Sequence, residues 1–369
     1  MSFTHFGFIG FGLIGGSIAR ALREFLPNTT TLIAFQYNKT PSYSLTLAKE
    51  DGVLNEITTD LTTFASCDMI FLCAPVQKNL EYLTLLKDII RPDCLLTDVG
   101  SVKGNIHKKV TELELEHCFI GGHPMTGSEK TGYEHSSTLL LENAYYILTP
   151  TKKTNKETLE QYRLLVTTMK ALPIILEPTE HDEITAAISH VPHIIATQLV
   201  NLVQYAGPLE QKMRILAAGG FKDITRIASA SPDIWESICL SNKESICQML
   251  TKYQEALEKA KQMILFDQKE ELYHMFDTAG NYRDSIPTKA KGILAKTYEL
   301  YTDIKDETGA IATIATQLSV HGISIKNIGI VHNREFEQGV LHIEFYDNDS
   351  VIKAKHVLGK NGYHIYIRS

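Results

Sequence analysis

Residues 5–16, HFGFIGFGLIGG, decide the fold of this chain. A short apolar run leads into Gly10, Gly12 and Gly15 at GxGxxG spacing, and apolar residues at helical spacing follow. The pattern predicts a strand, a tight turn and a helix. Gly10 would permit the turn, Gly12 the close approach of a diphosphate and Gly15 the close packing of the helix. We therefore expect a dinucleotide site here, the alternative being a glycine-rich turn with a purely structural role.

The predicted cofactor site continues into the first helical turn and the next strand. A dinucleotide diphosphate would lie on the helix N-terminus, at Leu13 and Ile14. The second strand, Thr31 to Phe35, ends before Gln36, where an acid that binds the ribose hydroxyls would indicate NAD. Gln36 can accept these hydrogen bonds but does not repel a 2′-phosphate, and Lys39 is nearby. The sequence therefore leaves NADP open as a second cofactor.

Further apolar runs, separated by helical spacers, extend a doubly wound α/β pattern. They span residues 69–74, 95–99, 119–122, 145–148 and 173–176. In such sheets ligands bind at the carboxyl ends of the strands, and we expect these ends along one edge. Ala74, Pro75, Ser101 and His123 should then line one crevice with the glycine turn. Asp98 is interpreted as a turn or cap residue.

Residues 121–132, GGHPMTGSEKTG, predict a loop that contacts the substrate. Its glycines let the backbone approach a ligand, Pro124 fixes φ, and the imidazole of His123 titrates near neutral pH. His123 is therefore a candidate general base, with the carboxylate of Glu129 beside it. The alternative is a surface turn with a histidine that has no chemical role.

Beyond Pro178 the sequence has helical character. His190 and His193 lie on one face of a long predicted helix, which Pro192 should kink. No carboxylate or cysteine stands at ligand spacing from them, so we expect no metal there and place both rings in the crevice. Arg226, inside a short apolar helix, suits a carboxylate of a substrate, the alternative being a structural salt bridge.

Two further features belong to the helical region. Asp223 and Ser231 are expected to cap short helices. Residues 242–267 form one predicted helix whose apolar residues alternate at spacings of four and three. This spacing predicts a packing seam, either inside one bundle or between two copies of the chain. We expect a homodimer.

The last part of the chain is predicted to form a separate small unit. From about Tyr298 the apolar runs predict the element order βαββαβ, with no catalytic group. The predicted domains are a Rossmann-type dinucleotide-binding domain (1–178), an all-α domain for substrate binding and dimerisation (179–297) and this small domain (298–369).

Composition excludes several classes of protein. The chain has 369 residues, of which 44% are apolar and 21% charged, typical of a globular protein with two or three domains. A formal net charge of −7 argues against a nucleic-acid partner. The six cysteines lack paired spacing and are expected to be free thiols, which fits the cytoplasm. No apolar run reaches the roughly 18 residues of a membrane span.

Six motifs resemble those of bacterial prephenate dehydrogenase, in the order of that family. They are the glycine turn, TDVGSVK (97–103), GGHPMTGSE (121–129), ENAYYILTP (142–150), SHVPH (189–193) and GGFKDITRIASASPDIW (219–235). The tail, with DETGAI and ISIKNIGI, resembles an ACT domain, a regulatory module that often binds amino acids. The resemblance covers essentially the whole chain. It implies NAD-dependent oxidative decarboxylation of prephenate to 4-hydroxyphenylpyruvate, a step of tyrosine biosynthesis.

The resemblance also implies roles for residues in the predicted crevice. His123 would take the hydroxyl proton of prephenate, and Ser101 would hydrogen-bond at the reacting hydroxyl. Glu129 would lie at the mouth of the site.

Further implied roles concern the recognition of substrate and cofactor. Arg226 would hold a substrate carboxylate, and His190 and His193 would lie near the substrate. Lys222 stands where an arginine is common, which leaves the charge intact. Gln36 replaces the usual acid, which puts a strict preference for NAD in doubt.

The ACT-like tail implies feedback inhibition by tyrosine. Its ligand would bind near the turn from Asp306 to Gly309, with Asn327 meeting its polar groups. Two alternatives stay open for the whole chain. One is another substrate on the same fold, such as arogenate or an unrelated hydroxy acid. The other is a redox or amino-acid sensor without enzymatic activity. The combination of His123, Ser101 and Arg226 argues against a sensor, because a sensor needs no general base beside a residue that binds an anion.

Overall fold

The computed structural model describes residues 3–40, 42–127, 130–286, 298–304, 307–331 and 339–366. The chain divides into two compact units, Met1–Thr288 and Lys289–Ser369. Each unit has its own hydrophobic core.

A five-stranded parallel sheet with the order β3-β2-β1-β4-β5 organises the first unit. Its strands are β1 (His5–Ile9), β2 (Thr31–Phe35), β3 (Glu56–Thr58), β4 (Met69–Leu72) and β5 (Leu95–Asp98). Both faces of the sheet are buried, which is why its central strands are continuous apolar runs. In β1, Phe6 and Phe8 face one core cluster and Ile9 faces the other. The short edge strand β3 carries little apolar sequence and was not predicted.

Helices cover both faces of this sheet, as predicted for a doubly wound fold. They are α1 (Leu13–Phe25), α2 (Tyr43–Glu50), α3 (Val76–Leu86), α4 (Gly104–Glu112) and α5 (Lys156–Thr168). The buried residues of α1, α2 and α5 belong to one core cluster, and those of α3 and α4 belong to the other. The carboxyl ends of the parallel strands therefore form an edge between two helical layers, where ligands bind in such folds.

A second sheet joins strands β6 (Ile120–Pro124), β7 (Tyr145–Pro150) and β8 (Leu172–Ile175). A parallel bridge between Leu96 and Phe119 sets β6 beside β5. However, β7 runs antiparallel to β6, and β8 runs parallel to β7. The expectation that all strand ends share one edge is therefore wrong for β7 and β8. The chain can reverse because turns and short 3₁₀ segments connect β6 to β7, whereas a parallel pair needs a crossover connection.

The remainder of the first unit is helical. Helix α6 (Pro178–Thr185) continues through a π-helical turn, residues Ala186–His190, into α7 (Val191–Gln204). Pro192 was predicted to kink this helix. The distortion beside it is the π-helical turn, in which the N–H of Val191 donates to the carbonyl oxygen of Ala186, five residues back. By length and composition alone, the combined helix Pro178–Gln204 could cross a membrane, a test that the core helix of a soluble protein also passes.

Five more helices follow α7. They are α8 (Glu210–Leu216), α9 (Gly219–Thr225), α10 (Pro232–Ser241), α11 (Lys243–Leu265) and α12 (Lys269–Ser285). The long helix predicted over 242–267 is confirmed as α11, whereas α12 was not predicted. Ser231 occupies the N-cap position of α10. Asp223 does not cap a helix, because it lies inside α9.

Large apolar side chains are exposed along these helices. They include Leu202, Tyr205, Ile215, Leu216, Ile224, Leu257, Ile264, Leu265, Phe266, Tyr273 and Phe276. An exposed apolar surface of this size is typical of an interface with another protein chain.

The second unit has the predicted order βαββαβ. Its elements are β9 (Tyr298–Ile304), α13 (Ala310–Val320), β10 (Ile325–Val331), β11 (Gly339–Phe345), α14 (Asn348–Lys360) and β12 (Ile365–Tyr366). The strands form one sheet with the order β10-β11-β9-β12. Residues of α13 and α14 pack on one face of it, around the buried Leu300 and Ile343.

Candidate active site

The glycine turn between β1 and α1 has the geometry that a dinucleotide needs. Gly10 has a φ of +84°, and a Cβ at this position would lie 2.4 Å from the backbone nitrogen of Ala74. A Cβ on Gly12 would meet no heavy atom of the described residues within 4 Å, so the backbone there is open to a ligand. Gly12 is also the N-cap of α1 and offers no capping side chain. The first amides of α1, at Leu13 and Ile14, can therefore donate hydrogen bonds to the oxygens of a diphosphate.

The side chain of Gln36 is engaged within its own loop. It is 5% exposed, its Nε2 donates to the carbonyl of Asn38 at 2.6 Å, and its Oε1 accepts from the amide of Ser42 at 3.0 Å. Gln36 can therefore shape the loop beside the predicted ribose site. To bind a ribose hydroxyl directly, its amide would have to share or give up one of these bonds.

His123 stands at the end of a buried chain of hydrogen bonds. Its Nδ1 is 2.8 Å from Nε2 of His181, and Nδ1 of His181 is 2.8 Å from Oδ1 of Asp182. Asp182 in turn accepts from the backbone amides of Lys103, at 2.8 Å, and Gly104, at 2.7 Å. These amides begin helix α4, so the carboxylate lies where a helix favours negative charge.

This chain determines which nitrogen of His123 carries its proton. An ionised carboxylate can only accept, so His181 donates to Asp182 from Nδ1. Nε2 of neutral His181 must then accept, and Nδ1 of His123 donates to it. The other nitrogen of His123, Nε2, is left with a lone pair, which is the state that a general base requires.

Burial keeps these rings uncharged. It lowers the pKa of His123 well below its usual value, and the neighbouring His181 and Lys103 act in the same direction. Burial also lowers the pKa of His181, although the hydrogen bond that His181 donates to Asp182 opposes this shift. His123 therefore remains neutral at pH values where a free histidine is largely protonated.

A buried ion pair supports the strand that carries His123. Nζ of Lys103 lies 2.5 Å from Oδ2 of Asp98 and 2.7 Å from the carbonyl oxygen of Gly122. The two charged side chains are 0% and 2% exposed. Asp98 also accepts from the amide of Gly100 at 2.9 Å, which confirms its predicted role in a turn. Lys103 thereby connects the end of β5, strand β6 and, through its backbone amide, Asp182.

Histidines on the π-helical turn and on α7 face Trp235 of α10. The ring of His193 stacks on Trp235 with centroids 3.7 Å apart, and the ring of His190 meets the same indole edge-on at 6.1 Å. His193, Trp235 and Ile227 help to line a cavity of about 310 Å³. Burial lowers the pKa of His193, and the charge of Arg226 contributes to this shift. Arg226 directly precedes Ile227 in the wall of the cavity.

Not all the predicted site residues are brought together. Ser101 is half-buried just beyond β5, and Pro75 is exposed at the start of α3. Lys222 is exposed on α9, one helical turn before Arg226. Glu129 lies outside the described residues.

The predicted effector residues are divided between two ends of the second unit. Gly309 follows the end of β9, whereas Asn327 pairs with Glu344, which pairs with Glu299 at the start of β9. With two strand spacings between them, Gly309 and Asn327 lie on the order of 20 Å apart in one copy. Asp306 lies outside the described residues.

Within the described ranges, one group of side chains has the composition of a metal site. It consists of Glu299, His342 and Glu344 in the second unit. His342 and Glu299 form a hydrogen bond of 2.9 Å, which accounts for their proximity without a metal. His190 and His193 do not belong to such a group.

Several residues of the site were not predicted from the sequence. His181, Asp182, Asn242 and the ion pair of Lys103 with Asp98 were given no role in it. The available signals were weak: a lysine five residues after an acid in TDVGSVK, and adjacent histidine and aspartate in TEHDE. Either pattern is common on protein surfaces.

The fold and the glycine turn define the class of this chain: it is an NAD-dependent dehydrogenase. The family model "Prephenate dehydrogenase, nucleotide-binding domain" matches residues 18–176, and "Prephenate dehydrogenase, dimerization domain" matches residues 177–278. The prephenate dehydrogenase of Bacillus subtilis is 36% identical over 348 residues, which cover 94% of this chain and 93% of that protein. The chain therefore belongs to the prephenate dehydrogenase family.

Two solved structures are similar to the first unit in size and fold. The prephenate dehydrogenase of Aquifex aeolicus, in complex with hydroxyphenyl propionate and NAD⁺, is 31% identical with a TM-score of 0.72, over 78% of this chain and 99% of that chain. The arogenate dehydrogenase of Synechocystis is 29% identical with a TM-score of 0.68, over 77% of this chain and 100% of that chain.

Proposed function

We propose that this chain converts prephenate to 4-hydroxyphenylpyruvate with His123 as the general base. The observation that carries this proposal is the buried chain from His123 through His181 to Asp182, which leaves a lone pair on Nε2 of His123. NAD, when bound on the glycine turn, supplies the hydride acceptor for the ring carbon that bears the hydroxyl. The residues of the chain must remove the hydroxyl proton and hold the anionic substrate.

Nε2 of His123 is the atom that would take the hydroxyl proton. The imidazolium formed in this step would donate from Nδ1 to His181, and His181 would donate to the carboxylate of Asp182. A fixed negative charge at the end of the chain stabilises the positive charge that develops on His123. Ser101, just beyond β5, is proposed to hydrogen-bond to the same hydroxyl.

Positive charge beside the cavity would bind the carboxylates of prephenate. Arg226 is the main candidate, because it directly precedes Ile227 in the cavity wall and its charge contributes to the lowered pKa of His193 on the same wall. Lys222, on α9 four residues before Arg226, would add a second positive charge. Glu129, His190 and His193 remain proposed substrate contacts.

The direct test of the activity is a turnover assay with purified protein. We expect NADH to form when prephenate and NAD are mixed with the enzyme, with 4-hydroxyphenylpyruvate and carbon dioxide as products. The same assay with arogenate tests the second candidate, which is favoured by the similarity to the Synechocystis arogenate dehydrogenase. Turnover of arogenate without turnover of prephenate would contradict the proposal.

Replacing Arg226 by alanine should weaken substrate binding selectively. Loss of a charge-assisted pair with a carboxylate costs about 2 kcal/mol or more, so the KM for prephenate should rise by about thirtyfold or more. The KM for NAD should stay within about twofold, because the glycine turn is unchanged. Arg163→Ala, which removes an exposed arginine from α5, is the matched control. Equal increases in both Michaelis constants would favour a structural role for Arg226.

We also propose that the enzyme is a cytoplasmic homodimer in which residues 1–178 bind the dinucleotide and residues 179–297 bind substrate and form the interface. The exposed apolar side chains of α7 to α12 support an interface in the helical part.

Gln36 does not repel a 2′-phosphate, so we propose NADP as a weaker second cofactor.

Residues 298–369 are proposed to be an ACT-like regulatory domain that binds tyrosine. A cavity of about 380 Å³ lies where β9 leads into α13, lined by Asp303, Glu307, Thr313, Asn361 and other residues. The first amides of α13, after Gly309, suit the carboxylate of an amino acid, and acidic side chains in the lining suit its ammonium group. Asp306, which precedes Glu307 in the sequence, remains a proposed contact of this ligand. Asn327, at the other end of the sheet, would contact this ligand only from a second copy.

Removal of the second unit should abolish inhibition by tyrosine. A chain that ends before Tyr298 should keep prephenate turnover and lose its response to tyrosine, because an effector acts only through a site that distinguishes two states of the enzyme. In the full chain, Glu307→Lys should weaken inhibition by about tenfold or more, since it reverses a charge that would meet the ligand ammonium.

Asp349→Lys, which reverses an exposed charge elsewhere in the same unit, should leave inhibition unchanged. Tyrosine inhibition should be measured from initial rates at several prephenate concentrations. If the shortened chain is inhibited as strongly as the full chain, tyrosine binds in the substrate crevice and the regulatory proposal is wrong.

A further inference from the structure

Asn242 lies between the end of α6 and the ring of His190. It precedes α11 and is 4% exposed. Its Nδ2 is 2.8 Å from the carbonyl oxygen of Asp182 and 3.2 Å from Nδ1 of His190. An amide nitrogen carries two hydrogens and accepts none, so it donates one hydrogen to each neighbour. The reversed amide would place Oδ1 against a carbonyl oxygen, which excludes that orientation.

These contacts determine the protonation of His190. Because Nδ1 accepts from Asn242, the neutral ring carries its hydrogen on Nε2. Burial lowers the pKa of His190 to about 4, so the neutral form prevails near pH 7. Nε2 is buried and has no hydrogen-bond partner in the described part of the chain. A buried N–H group without a partner is rare in native proteins and requires an explanation.

The unpartnered nitrogen belongs to a ring that packs against a residue of the cavity wall. The ring of His190 meets Trp235, which lines the cavity together with His193. A positive charge on His190 would also lower the pKa of His123. Nε2 is the outer nitrogen of the ring, on the side away from Cβ.

His193 has the opposite protonation pattern. Its Nδ1 lies 2.9 Å from the carbonyl oxygen of Ser189, to which it must donate in order to form a hydrogen bond. The neutral ring of His193 therefore presents an acceptor at Nε2. Two histidines three residues apart thus present one donor and one acceptor.

We propose that Asn242 is a positioning residue that locks His190 as a hydrogen-bond donor to an oxygen of the bound substrate. The inference rests on the proposed function only in taking the substrate to be prephenate, whose carboxylate, keto and hydroxyl groups all offer acceptor oxygens. Asn242 itself does not touch the substrate. It acts by donating to Nδ1 of His190, which keeps the hydrogen of the neutral ring on Nε2.

A double-mutant cycle tests this assignment. Asn242→Leu should raise the KM for prephenate about five- to tenfold, the effect of one hydrogen bond, while the KM for NAD stays unchanged. His190→Phe should raise the KM for prephenate by a similar or larger factor. Because Asn242 acts through His190, Asn242→Leu should add nothing in the His190→Phe background. Multiplicative effects of the two substitutions would overturn the assignment.

Two further measurements keep the test independent of folding defects. In His190→Gln the side-chain amide offers an N–H near the position of Nε2 without help from Asn242, so Asn242→Leu should again have little effect on KM. In the wild-type full chain, ¹⁵N NMR of labelled histidine, assigned by comparison with His190→Phe, should show the Nε2–H tautomer. An Nδ1–H tautomer would overturn the proposal. A wild-type enzyme that does not turn over prephenate would refute the proposed function but leave the NMR result intact.

Discussion

Replacement of His123 by asparagine should lower kcat for prephenate by about two to four orders of magnitude, the usual contribution of a general base. Asparagine can still donate a hydrogen bond to Nε2 of His181, so the buried chain keeps its first link. It offers no basic nitrogen to the substrate hydroxyl. The KM values for prephenate and NAD should therefore change much less than kcat. Steady-state kinetics with both ligands varied would measure this separation.

The pH dependence of the wild-type enzyme provides a second measurement on the same residue. Because burial lowers the pKa of His123, its lone pair should persist below pH 6.5, and activity should decline only at more acidic values. His117→Asn, which changes an exposed histidine just before β6, is the matched control and should behave as wild type. Near-normal turnover by His123→Asn would remove His123 from the mechanism.

Replacement of Lys103 by methionine should destabilise the first unit by about 3–5 kcal/mol, the effect of leaving a buried charge without its partner. The remaining carboxylate of Asp98 would be 2% exposed and would keep only its hydrogen bonds from backbone amides. The carbonyl of Gly122 would also lose its bond to Nζ, next to His123. Urea unfolding followed by circular dichroism would measure the change in free energy.

Two variants serve as controls for Lys103→Met. The double variant Lys103→Met/Asp98→Asn removes both charges and should recover part of the lost stability, because no uncompensated ion remains. Lys78→Met breaks an exposed pair with Glu81, whose side chains are 60% and 62% exposed, and should change stability by less than about 0.5 kcal/mol. If Lys103→Met is as mild as Lys78→Met, the buried pair does not carry full charges.

The fold could be predicted largely because its signals are local. The glycine turn combines a strand, three glycines and a helix within twelve residues. Side chains at Gly10 and Gly15 would crowd the turn itself or the two residues directly after β4, whereas Gly12 leaves its backbone open to a ligand. The helix over 242–267 was predicted from a repeat in its own apolar residues. The direction of β7 was not predictable in this way, since it depends on how the segment before it turns back along β6.

The site was only partly predictable because its polar contacts join distant parts of the sequence. His123 could be recognised, since glycines and a proline surround it. His181 is 58 residues away, and its role arises only when its ring meets that of His123. The link from Lys103 to Asp182 spans 79 residues, and that from Asn242 to His190 spans 52. Such pairs leave no period in the sequence from which they could be inferred.

The electrostatic state of His123 also depends on tertiary structure. From the sequence, an imidazole is expected to titrate near neutral pH. In the folded chain, burial together with the neighbouring His181 and Lys103 lowers its pKa. His123 could therefore be proposed as the base from the sequence, whereas its lowered pKa could not be foreseen.

Histidines inside the fold, among them His107 on α4, make the folded protein sensitive to acid. His107 and His190 have pKa values lowered by burial to about 4. Between about pH 6.5 and pH 4, these two rings are therefore largely protonated in the unfolded chain and largely neutral in the folded chain. By thermodynamic linkage, each such ring removes about 1.4 kcal/mol of stability per pH unit as the pH falls from 6.5 towards 4. Their contribution is fully present above pH 6.5. Unfolding free energies measured across this range should fall steeply, with net proton uptake on unfolding, so the uncharged imidazoles inside the fold set an acid limit on its stability.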